Sequence, residues 1–484
     1  MKQDRGSFIS LVGPSITFIP DVLRPFRDCW RFCRRTGQIE TALRAFFIWL
    51  TACSALTVVA VAQSQTLPPV PSSRRYMDAA GGVSVQKLVE TALARNADLL
   101  ATRRRIAEAQ GLLNQSRLRP NPGLNIKVAN GSVLRSPGER DYTISYAHTF
   151  ELGGKWNRRV EVGQLVEELA SLEVADQERL LKASVKTRFG EALAFIQNLE
   201  IAEQLLQLNE QGYRIAQARV EKGEAAELEE RLMRVEVNRA RSDQMLLNNQ
   251  VERAILELKR LAGLGLDEPL KLSGRLDVPP VEISLAQAMG RALNKRPDLQ
   301  AARLAERLSE AELRAALAEG IPNLLGFLEY SRISSRFGSY GLSGSGQLVP
   351  MRDTDNILAA GISINLPFRN RNQGNVQAAQ ARTSAASLRS AYAEQVVRQE
   401  VEAAYTRYET ARRALGTFNR GVMQESLDNL KIVRAAYQFG ELRILDVLNE
   451  QRRFTDTQRA WTDLLREYYL ALVELERATG ESLF

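Results

Sequence analysis

Between Ile357 and Leu366 the chain alternates. Leu358, Ala360, Ile362, Ile364 and Leu366 fall on one side of an extended segment, and Ala359, Gly361, Ser363 and Asn365 on the other. A period of two, with one apolar side and one small or polar side, marks a strand. Pro367, which has no N–H for a ladder, ends it. Three more segments obey the same rule. Leu124, Ile126 and Val128 alternate with Asn125, Lys127 and Ala129. Ile144, Tyr146, His148 and Phe150 alternate with Thr143, Ser145, Ala147 and Thr149. Leu324, Leu328 and Tyr330 alternate with Leu325, Phe327 and Glu329. Strands of about ten residues, apolar outside and polar inside, are what a transmembrane barrel requires. On that reading Ile126, Ile362 and Ile364 face lipid, while Lys127, Ser363 and Asn365 face a lumen. For any one segment alone, a half-buried strand of a soluble protein is the alternative. The stretch 331–356 is polar and rich in Gly and Ser, and reads as a solvent-facing loop.

After each pair of strands the period changes to helical. Residues 155–221 contain no proline and predict a helix on the order of 100 Å long. Residues 372–439 match it. The returning helices carry a 4,3 spacing: Met233, Val237, Ala240, Gln244, Leu247, Val251, Ala254 and Leu258 in one, and Phe454, Thr457, Trp461, Leu464, Tyr468, Ala471 and Leu475 in the other. A repeat of 3.5 residues makes helices pack along a seam.

The pattern occurs twice because the chain is a tandem duplication. At an offset of 200, Ala92, Leu93, Asp98, Leu99, Arg103 and Pro122 fall on Ala292, Leu293, Asp298, Leu299, Arg303 and Pro322. Past the strands the offset becomes 217, and Gly223, Leu228, Leu258, Arg260 and Gly263 fall on Gly440, Leu445, Leu475, Arg477 and Gly480. The extra 17 residues belong between the strands of the second copy. The repeats run over 84–263 and 284–480, joined by a Pro-containing linker, 264–283, and followed by a short tail, 481–484. Each has the order helix, strand, loop, strand, very long helix, tight turn, long helix.

The N-terminus adds a destination. Arg34, Arg35 and Arg44 precede an apolar run from Ala45 to Ala62 that ends in Ala60-Val61-Ala62, an export signal with a cleavage site. A membrane anchor is the alternative, and Leu50-Thr51-Ala52-Cys53 resembles a bacterial lipoprotein box, which would make Cys53 a lipidation site. Forty residues before the apolar run are long for a signal, so a start further downstream is expected. Residues 63–83, Pro/Ser/Gly-rich, read as an extended tether.

Charge and chemistry exclude more than they add. Of the net +8, residues 1–62 contribute eight Lys/Arg against four Asp/Glu, leaving +4 over a long helical chain. That is solvated surface, not a nucleic-acid stripe. His148 is the only histidine, and Cys29, Cys33 and Cys53 all precede residue 63. One histidine on a strand makes neither a catalytic triad nor a histidine metal cluster. Gly153-Gly154-Lys155 is a turn before a helix, far short of a phosphate loop. The residues therefore point to no enzyme, no cofactor and no metal site.

Two phrases, in this order within a duplication, carry a resemblance. Phe150-Glu151-Leu152-Gly153-Gly154-Lys155 followed by Arg158 and Arg159, and Ile364-Asn365-Leu366-Pro367-Phe368 followed by Asn372-Gln373-Gly374-Asn375, resemble the strand-to-helix junctions of the TolC-like outer-membrane efflux factors. The first is closest to the cobalt-zinc-cadmium branch. The resemblance covers nearly all of 84–480. It implies a mainly α fold with a membrane β-barrel portion: a homotrimer in which four strands per chain complete a twelve-stranded barrel above a helical tunnel in the periplasm. It implies passive export together with a periplasmic adaptor and a resistance-nodulation-division pump of the inner membrane. Heavy-metal cations are the implied cargo, organic compounds the alternative; a soluble periplasmic coiled-coil scaffold or adaptor is the rival from another class. Two turns match the tips where the adaptor docks, Arg219 to Glu224 around Gly223 and Ala436 to Glu441 around Phe439 and Gly440. Glu229 and Asp446, six residues past each glycine, match gate carboxylates, with Arg234 and Arg443 as their expected partners. Asn449 stands where some relatives have a second acid, and Glu450 is next to it.

Overall fold

The computed structural model describes residues 72–131, 139–418 and 421–483. The export signal, Cys53 and the first part of the tether lie outside the described residues. Within them, both repeats have the expected element order. The first holds α1 (Val85–Arg95), α2 (Ala97–Ser116), β1 (Gly123–Asn130), β2 (Arg140–Phe150), α3 (Lys155–Glu221) and α4 (Glu227–Ala262). The second holds α5 (Leu285–Lys295), α6 (Pro297–Glu319), β3 (Leu324–Leu342), β4 (Leu348–Ile364), α7 (Gln373–Phe418), α8 (Val422–Gln438) and α9 (Ile444–Thr479).

The strands form one antiparallel sheet in the order β1-β2-β3-β4, so β1 and β4 are open edges. The loop reading of 331–356 is corrected: only 343–347 connects the strands. β3 runs for 19 residues and β4 for 17, and their ladder continues to Leu342 opposite Leu348. Backbone pairing needs no apolar side chains, so a Gly/Ser-rich sequence sustains it once a neighbouring strand is present. The added residues of the second repeat thus lengthen a hairpin well beyond Arg140, where β2 begins.

Helix α3 is continuous over 67 residues, as its sequence predicts. Its counterpart is not. α7 stops at Phe418 and α8 starts at Val422, with Gly421 at a φ of 113°. Glycine takes positive φ without a Cβ penalty, and the first repeat has Gln204 at the matching position.

The tether reading needs correction at its end, which is docked on the linker. Residues 76–83 are docked: Leu272 N–H donates to Tyr76 O at 2.8 Å, Asp78 N–H to Leu272 O at 3.0 Å, and Val83 N–H to Lys271 O at 2.8 Å. Leu272, fully buried, anchors this short parallel contact in the first core.

Two cores sit where the short helices meet the long ones. One joins Leu88 and Ala92 to Phe189, Leu193, Ile196, Leu258 and Tyr469; the other joins Ala292 and Leu299 to Val401, Tyr408, Tyr468 and Leu475. In α4 most of the predicted seam is buried, with Gln244 and Leu247 half-buried. In α9 the predicted seam is only one of two. Tyr468, Ala471 and Leu475 pack in the second core, while Leu465, Tyr469 and Val473 pack in the first. α9 lies between α3 and α7 and buries a face against each.

Charge ties the helices together, both within the second repeat and across to the first. Arg296 is 2% exposed; it donates to Glu400 at 2.7 Å and pairs with Asp298. Arg179 of α3 donates to Arg477 O at 2.6 Å, and Lys186 binds Glu476 at 2.7 Å. Burial works to raise the Asp298 carboxyl, but the hydrogen bonds and charge of Arg296, with Arg179 adding, hold it below the ordinary value.

Candidate channel lining and turn cluster

Directly opposed residues in a sheet share a face. Register therefore sorts the strand residues into two sets. Rows Phe150/Leu324/Ile364, His148/Gly326/Ile362, Leu124/Tyr146/Leu328/Ala360, Ile126/Ile144/Tyr330/Leu358 and Val128/Tyr142/Arg332/Asn356 lie on one face. Rows Thr149/Leu325/Ser363, Asn125/Ser145/Glu329/Ala359 and Lys127/Thr143/Ser331/Ile357 lie on the other. The apolar face spans eight residue steps, about 26 Å along the strand. The polar face is the more enclosed one: Thr143 and Ser331 are 8% and 9% exposed, against 65% for Ile126 and 73% for Leu358. Phe327, on the polar face, lies across Gly361, whose missing side chain leaves room for the ring. His148 is on the apolar face, its ring edge-on to Phe150 at 4.8 Å, and holds no ligand partners there.

The junction motifs turn the strands into helices. Gly153 and Gly154 both have positive φ, and Gly153 packs so closely on Ile321 that a Cβ would stand 2.5 Å from its side chain. Buried Lys155 donates to Asn323 at 2.8 Å. Arg159 grips Glu151 through two hydrogen bonds, 2.7 and 3.1 Å, and also donates to the carbonyls of Ser116 and Leu118. In the second junction Asn372 takes a φ of 62° and donates to Ala316 O at 2.8 Å.

At the far end, α3 turns into α4 at Gly223 (φ 75°) and α8 into α9 at Gly440 (φ 80°). Each turn closes with paired bonds: Gly223 N–H to Val220 O and Glu224 N–H to Arg219 O in one, Gly440 N–H to Tyr437 O and Glu441 N–H to Ala436 O in the other. This is the αL ending that glycine suits. A Cβ at either glycine would meet open space. Phe439 is 82% exposed beside the second turn.

The structure brings some of the predicted tip residues together and separates others. Arg219 donates to Tyr437 Oη at 2.8 Å and lies 5.4 Å over its ring; Tyr437 in turn donates to Glu229 at 3.2 Å. Burial first, and then the Glu229 carboxylate, push the Tyr437 phenol up. Tyr437 thus joins the two turns, a role with no signal in the heptad or repeat pattern. Arg234 binds Glu230 at 3.0 Å, one turn away on its own helix. Arg443 offers its backbone N–H, which the Asp446 carboxylate accepts at 3.0 Å. Asp446 is therefore an exposed first-turn acid of α9. Above the turns, Gln451 donates to Asn209 at 2.6 Å in a buried polar step between α9 and α3, and Arg452 pairs with Glu236. Among the described residues no group of three or more His, Cys, Asp or Glu is placed to hold a metal ion.

An open-edged sheet with one apolar face, mounted on paired helices of this length, defines a class: a membrane channel that several chains complete together. Residues 88–264 and 288–481 match the model of the family described as outer membrane efflux protein, and the chain belongs to that family. Its members are trimeric outer-membrane channels with a helical tunnel in the periplasm; they work with a periplasmic adaptor and an inner-membrane pump and are not enzymes. The chain is 24% identical to the cobalt-zinc-cadmium resistance protein CzcC of Cupriavidus metallidurans, over 87% of this chain and 95% of that one. It is 26% identical to the outer membrane protein OprJ of Pseudomonas aeruginosa, over 82% and 84%. The channel CusC superimposes with a TM-score of 0.67 at 21% identity, covering 86% of this chain and 98% of CusC.

Proposed function

We propose that this chain is the exit duct for divalent metal cations in a tripartite efflux system driven by a resistance-nodulation-division pump. One observation carries the cation reading. The polar sheet face holds Glu329, Asp141, Asp353 and Asp355 against Lys127 as its counter-charge. An acid-rich lining favours cations in transit. The likeness to a relative named for cobalt, zinc and cadmium resistance supports the same cargo. Three copies close the sheet edges, since an unpaired edge is not tolerated in lipid. Ile126, Ile362 and Ile364 then face lipid. The turns at Gly223 and Gly440, with Arg219 and Phe439, dock the adaptor. Glu229 and Asp446 line the narrow end, Glu229 held by Tyr437 and Arg219, and Asp446 held by the α9 N-terminus.

The test is complementation of a strain lacking its own exit duct, supplied with this chain and its cognate pump and adaptor. Restored tolerance to cobalt, zinc and cadmium salts, with no change toward organic dyes, is the expected result. The reverse pattern refutes the metal assignment.

A further inference from the structure

The register sets four arginines on the apolar side of the sheet. Arg332 lies in the row of Tyr142 and Asn356, Arg140 in the row of Ser334 and Thr354, and Arg336 is directly opposite Arg352. All four are exposed, and among the described residues none makes a salt bridge or a side-chain hydrogen bond. The acids at this level do not neutralise them. Asp141, Asp353 and Asp355 alternate with the arginines along the strands and belong to the opposite face. Like charges directly opposed on neighbouring strands repel, so Arg336 and Arg352 need a counter-charge from outside the chain.

Their level in the barrel says where that charge comes from. The helices leave the strands at Phe150 and Ile364, so the arginines are at the other end, Arg332 in the last of the five rows and Arg140, Arg336 and Arg352 above it. Tyr142 lies level with Arg332 and Tyr330 one row below it, where an aromatic ring marks the boundary between hydrocarbon and water. In the outer membrane that boundary is the external leaflet, built of phosphorylated glycolipid. Guanidinium forks match phosphate oxygens two at a time.

We propose that Arg140, Arg332, Arg336 and Arg352 form a binding site for the phosphate groups of glycolipid headgroups in the external leaflet. The proposal rests on the apolar face being turned to lipid. It makes the lipid a fixed part of the rim: each of three hairpins holds headgroups against the barrel wall.

Native mass spectrometry of the purified full-chain trimer tests it, with lipopolysaccharide, its dephosphorylated form, phosphatidylglycerol and inorganic phosphate as probes. Wild-type trimer is expected to retain phosphorylated glycolipid. The R332Q/R336Q/R352Q variant is expected to lose about a hundredfold in affinity, at roughly a factor of five per arginine, and the corresponding lysine variant is expected to recover part of it. Equal retention by the glutamine variant, or equal retention of dephosphorylated glycolipid, overturns the proposal. Equal binding of phosphatidylglycerol, or displacement by millimolar inorganic phosphate, leaves a general anion surface and also overturns it. Outer-membrane fractionation of the wild type and of the same variant keeps the two readings apart. A heat-modifiable trimer in that fraction with unchanged glycolipid refutes the arginine site alone, whereas absence of wild-type chain from the fraction refutes the channel reading on which it rests.

Discussion

Leu328→Arg is the sharpest perturbation of the barrel. Leu328 lies in the third of five apolar rows, with Leu124, Tyr146 and Ala360. Four residues separate this row from Ile364 at one end and Asn356 at the other, about 13 Å along a strand. At a tilt near 40° that is roughly 10 Å of depth on either side, which puts Leu328 at the bilayer midplane when the apolar face is turned to lipid as proposed. An arginine there costs about 2–4 kcal/mol, and near the interfaces about 0–1. The barrel closes as one unit from three chains, so roughly 6–12 kcal/mol accumulates per trimer. Ser145→Arg, on the enclosed face beside Glu329, is expected to cost little, and Ile364→Arg, in the end row, little more. Refolding into lipid vesicles across a urea series, read by heat-modifiable trimer on gels, measures all three. Equal loss of trimer for Leu328→Arg and Ser145→Arg would refute the assignment of faces.

Gly440→Val forces a branched residue into positive φ at about 1–2 kcal/mol but meets no neighbour; trimer is expected to persist in the membrane while metal efflux is lost, and loss of trimer would make the turn structural only. Asp446→Ala is expected to alter cation selectivity and weaken block by a trivalent cation in single-channel recordings, and Tyr437→Phe, which frees Arg219 and Glu229, to raise the open fraction; unchanged currents in both would remove these residues from the gate. Acid stability follows from the depressed Asp298 carboxyl. A folded-state value below the unfolded one stabilises the protein above about pH 5, and this is lost as pH falls through the folded value. Arg296→Gln is expected to flatten that acid limb in denaturant titrations and to cost about 2–3 kcal/mol at neutral pH, as a charged hydrogen-bonded pair is broken; an unchanged acid limb would disconnect the pair from stability.

Much of this architecture is local and therefore readable from the chain. Period-two alternation from Leu124 to Val128 and from Leu358 to Ile364 marks strands because each side chain's face depends only on its parity. The unbroken run from Lys155 to Glu221 marks a helix because nothing in it stops one. The 331–356 stretch misleads, since Gly and Ser report freedom to turn, and the β-ladder that holds them extended is a partner effect. The break at Gly421 had a visible sign, glycines at 416 and 421 where the first repeat has Leu199 and Gln204. Sequence spacing paired Arg234 and Arg443 with the gate acids, but Arg234 finds Glu230 one helical turn away. Tyr437 was hidden because its partners are 218 and 208 residues distant, and the first repeat has Val220 in its place.

The ties of Arg179 and Lys186 to the second repeat give α3 a fulcrum. From Lys186 to Glu221 the helix runs on for about 50 Å. A rigid arm of that length multiplies rotation into travel: a tilt of roughly 10° at the fulcrum would carry its tip about 9 Å. At the gate proposed for the turns, opening would therefore ask for no unfolding and little repacking around the stitched belt. The other arm is interrupted at Gly421, whose φ of 113° leaves the helix, so it has a second point at which its direction can change. Duplication has supplied each chain with one stiff lever and one articulated lever, fixed to a common base.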